Sequence, residues 1–175
     1  MMLSKEQLHQ IMPYASGENL EKFCQPLNET MDKYQINTPQ RMACFLAQLA
    51  HESGCLKYVK ELATGQAYEG RKDLGNIEPG DGVKFKGRGL IQITGRTNYG
   101  ALSKALGADL INHPELLEGP VYASLSAGWF WDSRKLNDLA DVMDFLRITR
   151  RINGGLTNLE DRQKYFALAK KTLGI

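Results

Sequence analysis

The sequence has few cysteines, no long apolar run and almost no excess of one charge sign. Its three cysteines, Cys24, Cys44 and Cys55, form no CxxC pair and leave one thiol unpaired in any disulfide scheme, so we expect neither a disulfide framework nor a structural zinc site. No apolar run approaches the roughly 18 residues of a membrane span, and no basic segment followed by an apolar stretch opens the chain. We therefore expect synthesis in the cytoplasm without a signal peptide, and no stable membrane association.

The charge balance excludes a further class of function. Twenty-two Lys and Arg residues against 20 Asp and Glu residues give a formal net charge of +2, which is too small to predict nucleic-acid binding. With 42% hydrophobic residues among 175, the chain is long enough to bury its own core. Since neither an internal repeat nor a low-complexity tract occurs, we expect residues 1–175 to form one domain.

The spacing of apolar residues predicts a mainly α fold with minimal β structure, because most of them recur every three or four positions. Ser4 and Gln7 form a capping box for a short first helix, and Thr38 followed by Pro39 starts a helix that reaches Gly54. Further helices are predicted over residues 26–34 (opened by Pro26), 97–106, 120–131, 138–152 and 158–173 (from a Thr157–Glu160 capping box).

Residues 63–95 are the exception, because they contain about half of the 17 glycines and have no sustained helical period. They predict loops with at most a short hairpin. Within them, residues 90–94 alternate, so an extended conformation would direct Gln92 and Thr94 to one side and Ile91 and Ile93 to the other. A loop region of this length is typical of a functional site, and we interpret it as one wall of a cleft.

Two carboxylates are candidates for acid–base chemistry. Glu52 follows Leu49 by three positions, which places its carboxyl on the apolar face of the helix. Burial disfavours the ionised form, and a carboxyl that keeps its proton near neutral pH is what a general acid requires. Glu61 follows nine residues later and would serve as the second carboxylate of a glycosidase. On spacing alone Glu69 or Glu78 would serve equally well, and Glu52 would equally well pair with a buried arginine.

A third charged residue, Arg162, is also predicted to point inward, since it lies three positions after Leu159 and four before Phe166 on the last helix. An inward arginine requires a carboxylate partner. Two interpretations remain open at this point. The ion pair either only holds the fold together or also tunes one of the catalytic carboxyls.

Two other motifs do not carry chemistry. The segment that begins His51-Glu52 resembles the start of a zinc-protease HExxH motif, but Cys55 occupies the fifth position, so we expect no metal site. The glycines of residues 87–89 lack both the third glycine of a dinucleotide-binding motif and the ending of a phosphate-binding loop. Of Trp129 and Trp131, at most one faces a sugar, since they project from different sides of a helix.

Four blocks of the sequence, taken together and in order, resemble glycoside hydrolase family 19, the lysozyme-like chitinases. They are residues 45–54 (FLAQLAHESG), 87–99 (GRGLIQITGRTNY), 126–131 (SAGWFW) and 152–155 (INGG). Residues 68–76 and 79–82 look more like the phage-endolysin branch than like the plant chitinases. The paired disulfides and longer loops of the plant enzymes are missing, which leaves the number of sugar subsites open. From the resemblance we expect residues 1–175 to be a single catalytic domain without a separate cell-wall-binding module.

The resemblance implies a fold of two lobes that flank a cleft, and an inverting hydrolysis without a cofactor. Glu52 would be the general acid, Glu61 the general base that activates water, and Thr94 a residue that helps to hold that water. Arg162 matches the arginine of the family's charge network. The positions that match substrate-binding residues are His51, Gln92, Asn98, Tyr99 and Asn153.

From this resemblance we expect an endolysin that hydrolyses β-1,4 bonds in peptidoglycan glycan strands as a monomer. It would be made in the host cytoplasm and act in the periplasm after the membrane is permeabilised. A chitinase is the alternative, since it would use the same catalytic residues. A non-catalytic glycan-binding protein is the second alternative, in which Glu52 only supports the fold.

Overall fold

The computed structural model describes residues 2–175 and confirms the mainly α fold, with 62% of residues in helix and 2% in strand. The α-helices in this range are α1 (Lys5–Ile11), α2 (Gly17–Lys33), α3 (Pro39–Glu52), α4 (Asp81–Lys84), α5 (Arg96–Leu106), α6 (Pro120–Ser133), α7 (Leu136–Asp141), α8 (Phe145–Asn153) and α9 (Leu159–Leu173). Short 3-10 helices cover Gln66–Tyr68, Lys72–Leu74 and Pro114–Glu118. None of the helices described is both long and apolar enough to cross a membrane.

Helix α3 is the centre of the molecule. It begins as predicted, because the Thr38 side chain accepts a hydrogen bond from the Arg41 amide and Pro39 occupies the first turn. All residues from Met42 to Ala50 are buried, since α9, α1, α7 and α8 pack around the helix. The C-terminal end of the helix leaves the core, so Glu52, its last residue, is only partly buried.

Helix α2 corrects the prediction for residues 26–34. It begins at Gly17, where the Ser16 side chain caps the Asn19 amide, and Pro26 lies inside it instead of opening it. A proline inside a helix loses one backbone hydrogen bond. Here the buried apolar face of α2, which packs against α6 and α1, outweighs that local cost.

The single helix predicted over residues 138–152 is also wrong, because the structure has two helices there. Met143 adopts a φ of 57° between α7 and α8, and the Asp144 side chain caps the Arg147 amide. Asp144 thus starts a new helix, whose end at Gly154 is as predicted. The capping box predicted at Thr157 is absent too, since Asn158 precedes α9 without a side-chain cap.

A second, smaller lobe contains the glycine-rich segment. It has loops as predicted, but it also has short helices that the sequence did not predict. Isolated antiparallel bridges join Arg88 to both Lys60 and Ile93. The bridge between Arg88 and Ile93 closes a tight turn in which Gly89 and Gln92 have positive φ angles. Residues 90–94 are therefore not extended. The Leu90 amide donates to the Ala123 carbonyl of α6, which attaches this turn to the helical body.

Candidate active site

The first carboxylate of the cleft, Glu52, is held by an arginine from the far end of the chain. Glu52 Oε1 lies 2.7 Å from Arg162 Nη2, and the two side chains are 21% and 2% exposed. Helices α3 and α9 pack closely together along the core, and this packing brings the two residues into contact. The predicted inward direction of Arg162 is confirmed, and its partner is Glu52.

The guanidinium of Arg162 has a hydrogen-bond partner at each of its three nitrogens. Nη1 donates to Gln48 Oε1 at 2.6 Å, and Nε donates to the Thr157 carbonyl at 3.2 Å. Gln48 in turn donates to Thr149 Oγ1 of α8 at 2.9 Å. Of the two interpretations of Glu52, pairing with a buried arginine is therefore confirmed, and the polar network around Arg162 fixes the orientation of the carboxyl.

His51, the residue before Glu52, contacts a second acidic residue of α9. His51 Nδ1 lies 2.6 Å from Asp161 Oδ2, and since a carboxylate only accepts, Nδ1 carries the proton. Burial acts to raise the pKa of Asp161, but the hydrogen bond and charge of His51, with Lys164 nearby, bring that pKa below its ordinary value. Consecutive residues of α3 are thus both anchored by α9.

Glu61 lies in the other wall and is held mainly by the backbone. Its Oε1 accepts from the Gly87 amide at 2.6 Å, and its own amide donates to the Gly87 carbonyl at 2.9 Å. The Tyr68 hydroxyl donates to Oε2 at 3.1 Å. Burial and the contact with Glu61 raise the pKa of Tyr68, so its hydroxyl stays a donor at neutral pH.

The predicted polar residues of the turn lie together, and one of them, Gln92, packs against the Gly87 that binds Glu61. Thr94 Oγ1 donates to the Gln92 carbonyl at 3.1 Å, and Asn98 Nδ2 donates to the Thr94 carbonyl at 2.9 Å. Gln92 packs directly against Gly87, so closely that a methyl group added at Gly87 would meet Gln92 Oε1 at 2.7 Å. These side chains line a cavity of about 130 Å³ whose walls also include Leu74, Ile93, Trp129, Phe130 and Arg134.

The two tryptophans of α6 lie on different sides of the helix, as their spacing predicts. Trp131 is fully buried, meets Phe45 edge-on at 5.3 Å and donates its Nε1 hydrogen to Asn137. Trp129 is only partly buried and lies in the cavity wall with Thr94. Of the two, Trp129 is the one with a surface to offer a sugar.

Tyr99 is not a substrate contact, which corrects the expectation for that residue. Its side chain is fully buried, and its hydroxyl hydrogen-bonds the Arg88 guanidinium and the Lys86 carbonyl. Burial raises the pKa of Tyr99 to about 12. Asn153, in contrast, is the last residue of α8, and its side chain is exposed.

Sequence reasoning missed Gln48 and Tyr68, which orient the charged residues of the two walls. Gln48 precedes Glu52 by four positions, so helical geometry already placed both on one face of α3. No comparable signal identifies Tyr68, because it reaches Glu61 only through the folding of the glycine-rich loops.

The geometry is that of a site with two carboxylates in different settings. One ends a buried helix against a guanidinium, and the other lies in a loop and accepts hydrogen bonds from the Gly87 amide and the Tyr68 hydroxyl. Such a pair suits general acid and general base catalysis of glycoside hydrolysis. Neutral amides and hydroxyls are suitable partners for the hydroxyl groups of a sugar chain.

Comparisons with known proteins identify the family to which the chain is similar. Residues 30–143 match the family model described as chitinase class I of glycoside hydrolase family 19. A glycosyl hydrolase family 19 domain-containing protein of Haemophilus influenzae is 32% identical, over 95% of this chain and 94% of that protein. An endochitinase of Arabidopsis thaliana is 37% identical over 84% of this chain, which spans only 53% of the plant protein.

Solved structures show the same architecture. Chitinase C from Streptomyces griseus superposes with a TM-score of 0.81 at 26% identity, over 98% of this chain and 76% of that one. A bacterial family 19 chitinase superposes with a TM-score of 0.82 at 25% identity, over 100% of this chain and 96% of that one. The two-lobed, lysozyme-like helical fold is therefore shared along the whole chain.

Proposed function

The chain belongs to glycoside hydrolase family 19 and is a glycoside hydrolase, and we propose that it hydrolyses the β-1,4 bonds of bacterial peptidoglycan as an endolysin. In this proposal it acts as a monomer on glycan strands in the periplasm. The observation that supports catalysis most strongly is the pair of separately anchored carboxylates, Glu52 against Arg162 and Glu61 against the Gly87 amide.

In the proposed mechanism, the protonated form of Glu52 donates its proton to the leaving glycosidic oxygen, and Arg162 stabilises the carboxylate that this transfer leaves, while Glu61 removes a proton from the attacking water. Gln92, which packs against Gly87, and Thr94 line a cavity that is suited to hold that water and the sugar. In an inverting enzyme the two carboxyls stand about 6.5–9.5 Å apart so that a water molecule fits between them. The attack then occurs on the face of the sugar opposite to the leaving group.

Two features support peptidoglycan as the substrate. Residues 68–76 and 79–82 resemble the endolysin branch, and Tyr68 in the first block donates a hydrogen bond to Glu61. Glu69 accepts hydrogen bonds from the Gly80 and Gly82 amides at 2.8 Å, which fixes the two blocks against each other. The chain also matches the Haemophilus influenzae protein over 94% of that protein's length. That relative is a bacterial protein, and peptidoglycan is a polymer of bacterial cell walls.

Chitin is the second candidate, because the plant relatives are named endochitinases and the solved neighbours are chitinases. Both polymers contain β-1,4-linked N-acetylated sugars, so the same two carboxylates serve either reaction. The difference lies in the substituents of alternate sugars, which chitin lacks. The choice between them is therefore a question of contacts outside the reacting bond.

The direct test is to incubate the protein with purified peptidoglycan and with chitin hexamer, and to identify the products by mass spectrometry. We expect soluble fragments from peptidoglycan with reducing ends that carry one added water, and α-anomers as first products. Glu52→Gln is the matched control, and its turnover is expected to fall about 10²–10⁴-fold. Products from chitin alone would contradict the proposal, and anhydro-sugar ends would contradict hydrolysis.

A further inference from the structure

The cavity beside Thr94 contains a positive charge that the proposed mechanism does not use. Arg134 directly follows α6, and its guanidinium carbon lies 3.5 Å from the centre of the Phe130 ring. Its side chain forms one wall of the cavity that Gln92 and Asn98 also line. Stacking on an aromatic ring restricts the guanidinium to one plane, so the group is oriented before any ligand arrives.

Arg134 differs from the other arginines that are buried or partly buried, because no acidic side chain neutralises it. Across residues 2–175, a carboxylate lies within 4 Å of each of those others, whereas Arg134 has none; they are Arg41, Arg88, Arg96 and Arg162. Its side chain donates only to Ser133 Oγ, at 3.3 Å. Burial lowers the pKa of Arg134, yet the group remains a cation with donors left free at the wall of the cavity.

A second arginine lies directly beside it. Arg151 Nη1 of α8 donates to the Arg134 carbonyl at 3.1 Å. This hydrogen bond holds the exposed face of α8 next to the residue that lines the cavity. Helix α8 contains Arg147, Arg150 and Arg151 but no acidic residue, and all three are exposed. The chain has a net charge of only +2, so this local concentration of positive charge is not a consequence of overall composition.

We propose that Arg134, with Arg151 beside it, forms a subsite that binds a carboxylate carried by a substituent of the glycan. A planar guanidinium matches a carboxylate in a two-pronged hydrogen-bonded pair, which a neutral sugar does not offer. This inference rests on the proposed function, because peptidoglycan carries carboxylates on its lactyl groups or peptide stems and chitin carries none. Arg134 is therefore a specificity-determining residue, separate from the reacting carboxyls.

The test compares four substrates. In intact peptidoglycan the peptide stems supply the carboxylates, and in amidase-treated strands the lactyl carboxylates are exposed. In carbodiimide-amidated peptidoglycan the carboxylates are capped, and chitin hexamer carries none. The Arg134→Gln variant is expected to lower the ratio of kcat/KM on carboxylate-bearing to amidated peptidoglycan about tenfold, mainly through KM. Arg134→Lys should recover part of this ratio. The first two substrates distinguish the stem from the lactyl group as the source.

Arg147→Gln is the matched control, since it removes one exposed charge from α8, where Arg147 is already paired with Asp144 at 3.4 Å. We expect this variant to change the ratio less than twofold. An unchanged ratio in Arg134→Gln, or an equal fall in both variants, would overturn the subsite while the proposed function stands. If the wild-type protein releases no fragments from any peptidoglycan, the proposed function and the subsite both fail.

Discussion

The two carboxylates of the cleft are held in opposite ways. Glu52 ends a buried helix and is oriented by Arg162 of α9, which is held in turn by Gln48 of α3 and, through it, by Thr149 of α8. Glu61 lies in a loop and is oriented mainly by the Gly87 backbone amide, with Tyr68 as the single side-chain donor. One wall therefore depends on long-range packing of the helical body, and the other depends on the local path of a glycine-rich chain.

This difference indicates how each wall would respond to substitution. Substitution of one member of a buried network destabilises the whole network, because it leaves several polar groups without hydrogen-bond partners. A backbone contact survives most side-chain changes and fails only where the chain path or its close packing is altered. We expect changes around Glu52 to affect both stability and turnover, and changes around Glu61 to affect turnover alone.

The largest effect is expected from Arg162→Met. The substitution leaves Glu52 without its counter-charge and Gln48 and Thr157 without a donor, so the free energy of unfolding should fall by about 3 kcal/mol. Turnover should fall at least about a hundredfold, since Glu52 is no longer oriented. Urea unfolding followed by circular dichroism, together with an assay of released reducing ends, measures both.

The same experiment has an internal control in a double-mutant cycle. If Arg162 and Glu52 act as a pair, the double variant of Arg162→Met and Glu52→Gln loses less stability than the sum of the two single variants, by about 1 kcal/mol or more. Arg147→Met, on an exposed face, should change the free energy of unfolding by less than about 0.5 kcal/mol. Additive losses at Glu52 and Arg162 would contradict the network.

The helical wall was the more predictable of the two from the sequence. The Thr38 cap, Pro39 and the apolar spacing of α3 are local signals, and they placed Glu52 correctly on its inward face. The inward spacing of Arg162 likewise implied a carboxylate partner. Which carboxylate it meets does not follow from the residues alone, because that contact depends on the long-range packing of α3 against α9.

The errors arose where tertiary packing or turn geometry overrides local preference. Pro26 is a strong local signal for a helix start, but the apolar face of α2 continues through it into the core. The alternation of residues 90–94 is typical of a strand, whereas the Arg88–Ile93 bridge closes a turn. Tyr99 lies in a block that resembles sugar-binding sequence, yet its hydroxyl serves the buried Arg88. None of these outcomes follows from spacing.

A smaller effect is expected from Gly87→Ala in the loop wall. Gly87 does not have a positive φ, so alanine fits the backbone, but its methyl group would lie 2.7 Å from Gln92 Oε1. The Gln92 amide must then move within the cavity, and we expect kcat/KM to fall about tenfold while the melting temperature stays within about 2 °C. Steady-state kinetics and thermal unfolding measure the two quantities.

The control for this substitution is Gly100→Ala in the same lobe. A methyl group at Gly100 meets only Ile111, at 3.8 Å, and replaces a glycine inside α5. It should raise stability by about 0.5–1 kcal/mol and leave kcat/KM unchanged. If Gly87→Ala lost stability instead of activity, the Gly87 contact would belong to the folding of the lobe and not to the arrangement of the site.

The smallest effect is expected from Tyr68→Phe, which removes the one side-chain donor to Glu61 and leaves the Gly87 amide in place. Since Tyr68 is only partly buried, water can replace its hydroxyl, and we expect kcat/KM to fall about fivefold without loss of stability. Tyr58→Phe, at an exposed tyrosine of the same lobe edge, is the control and should have no effect. A hundredfold loss in Tyr68→Phe, as large as that of Arg162→Met, would mean that a side chain and not the backbone orients Glu61, and the contrast between the two walls would no longer hold.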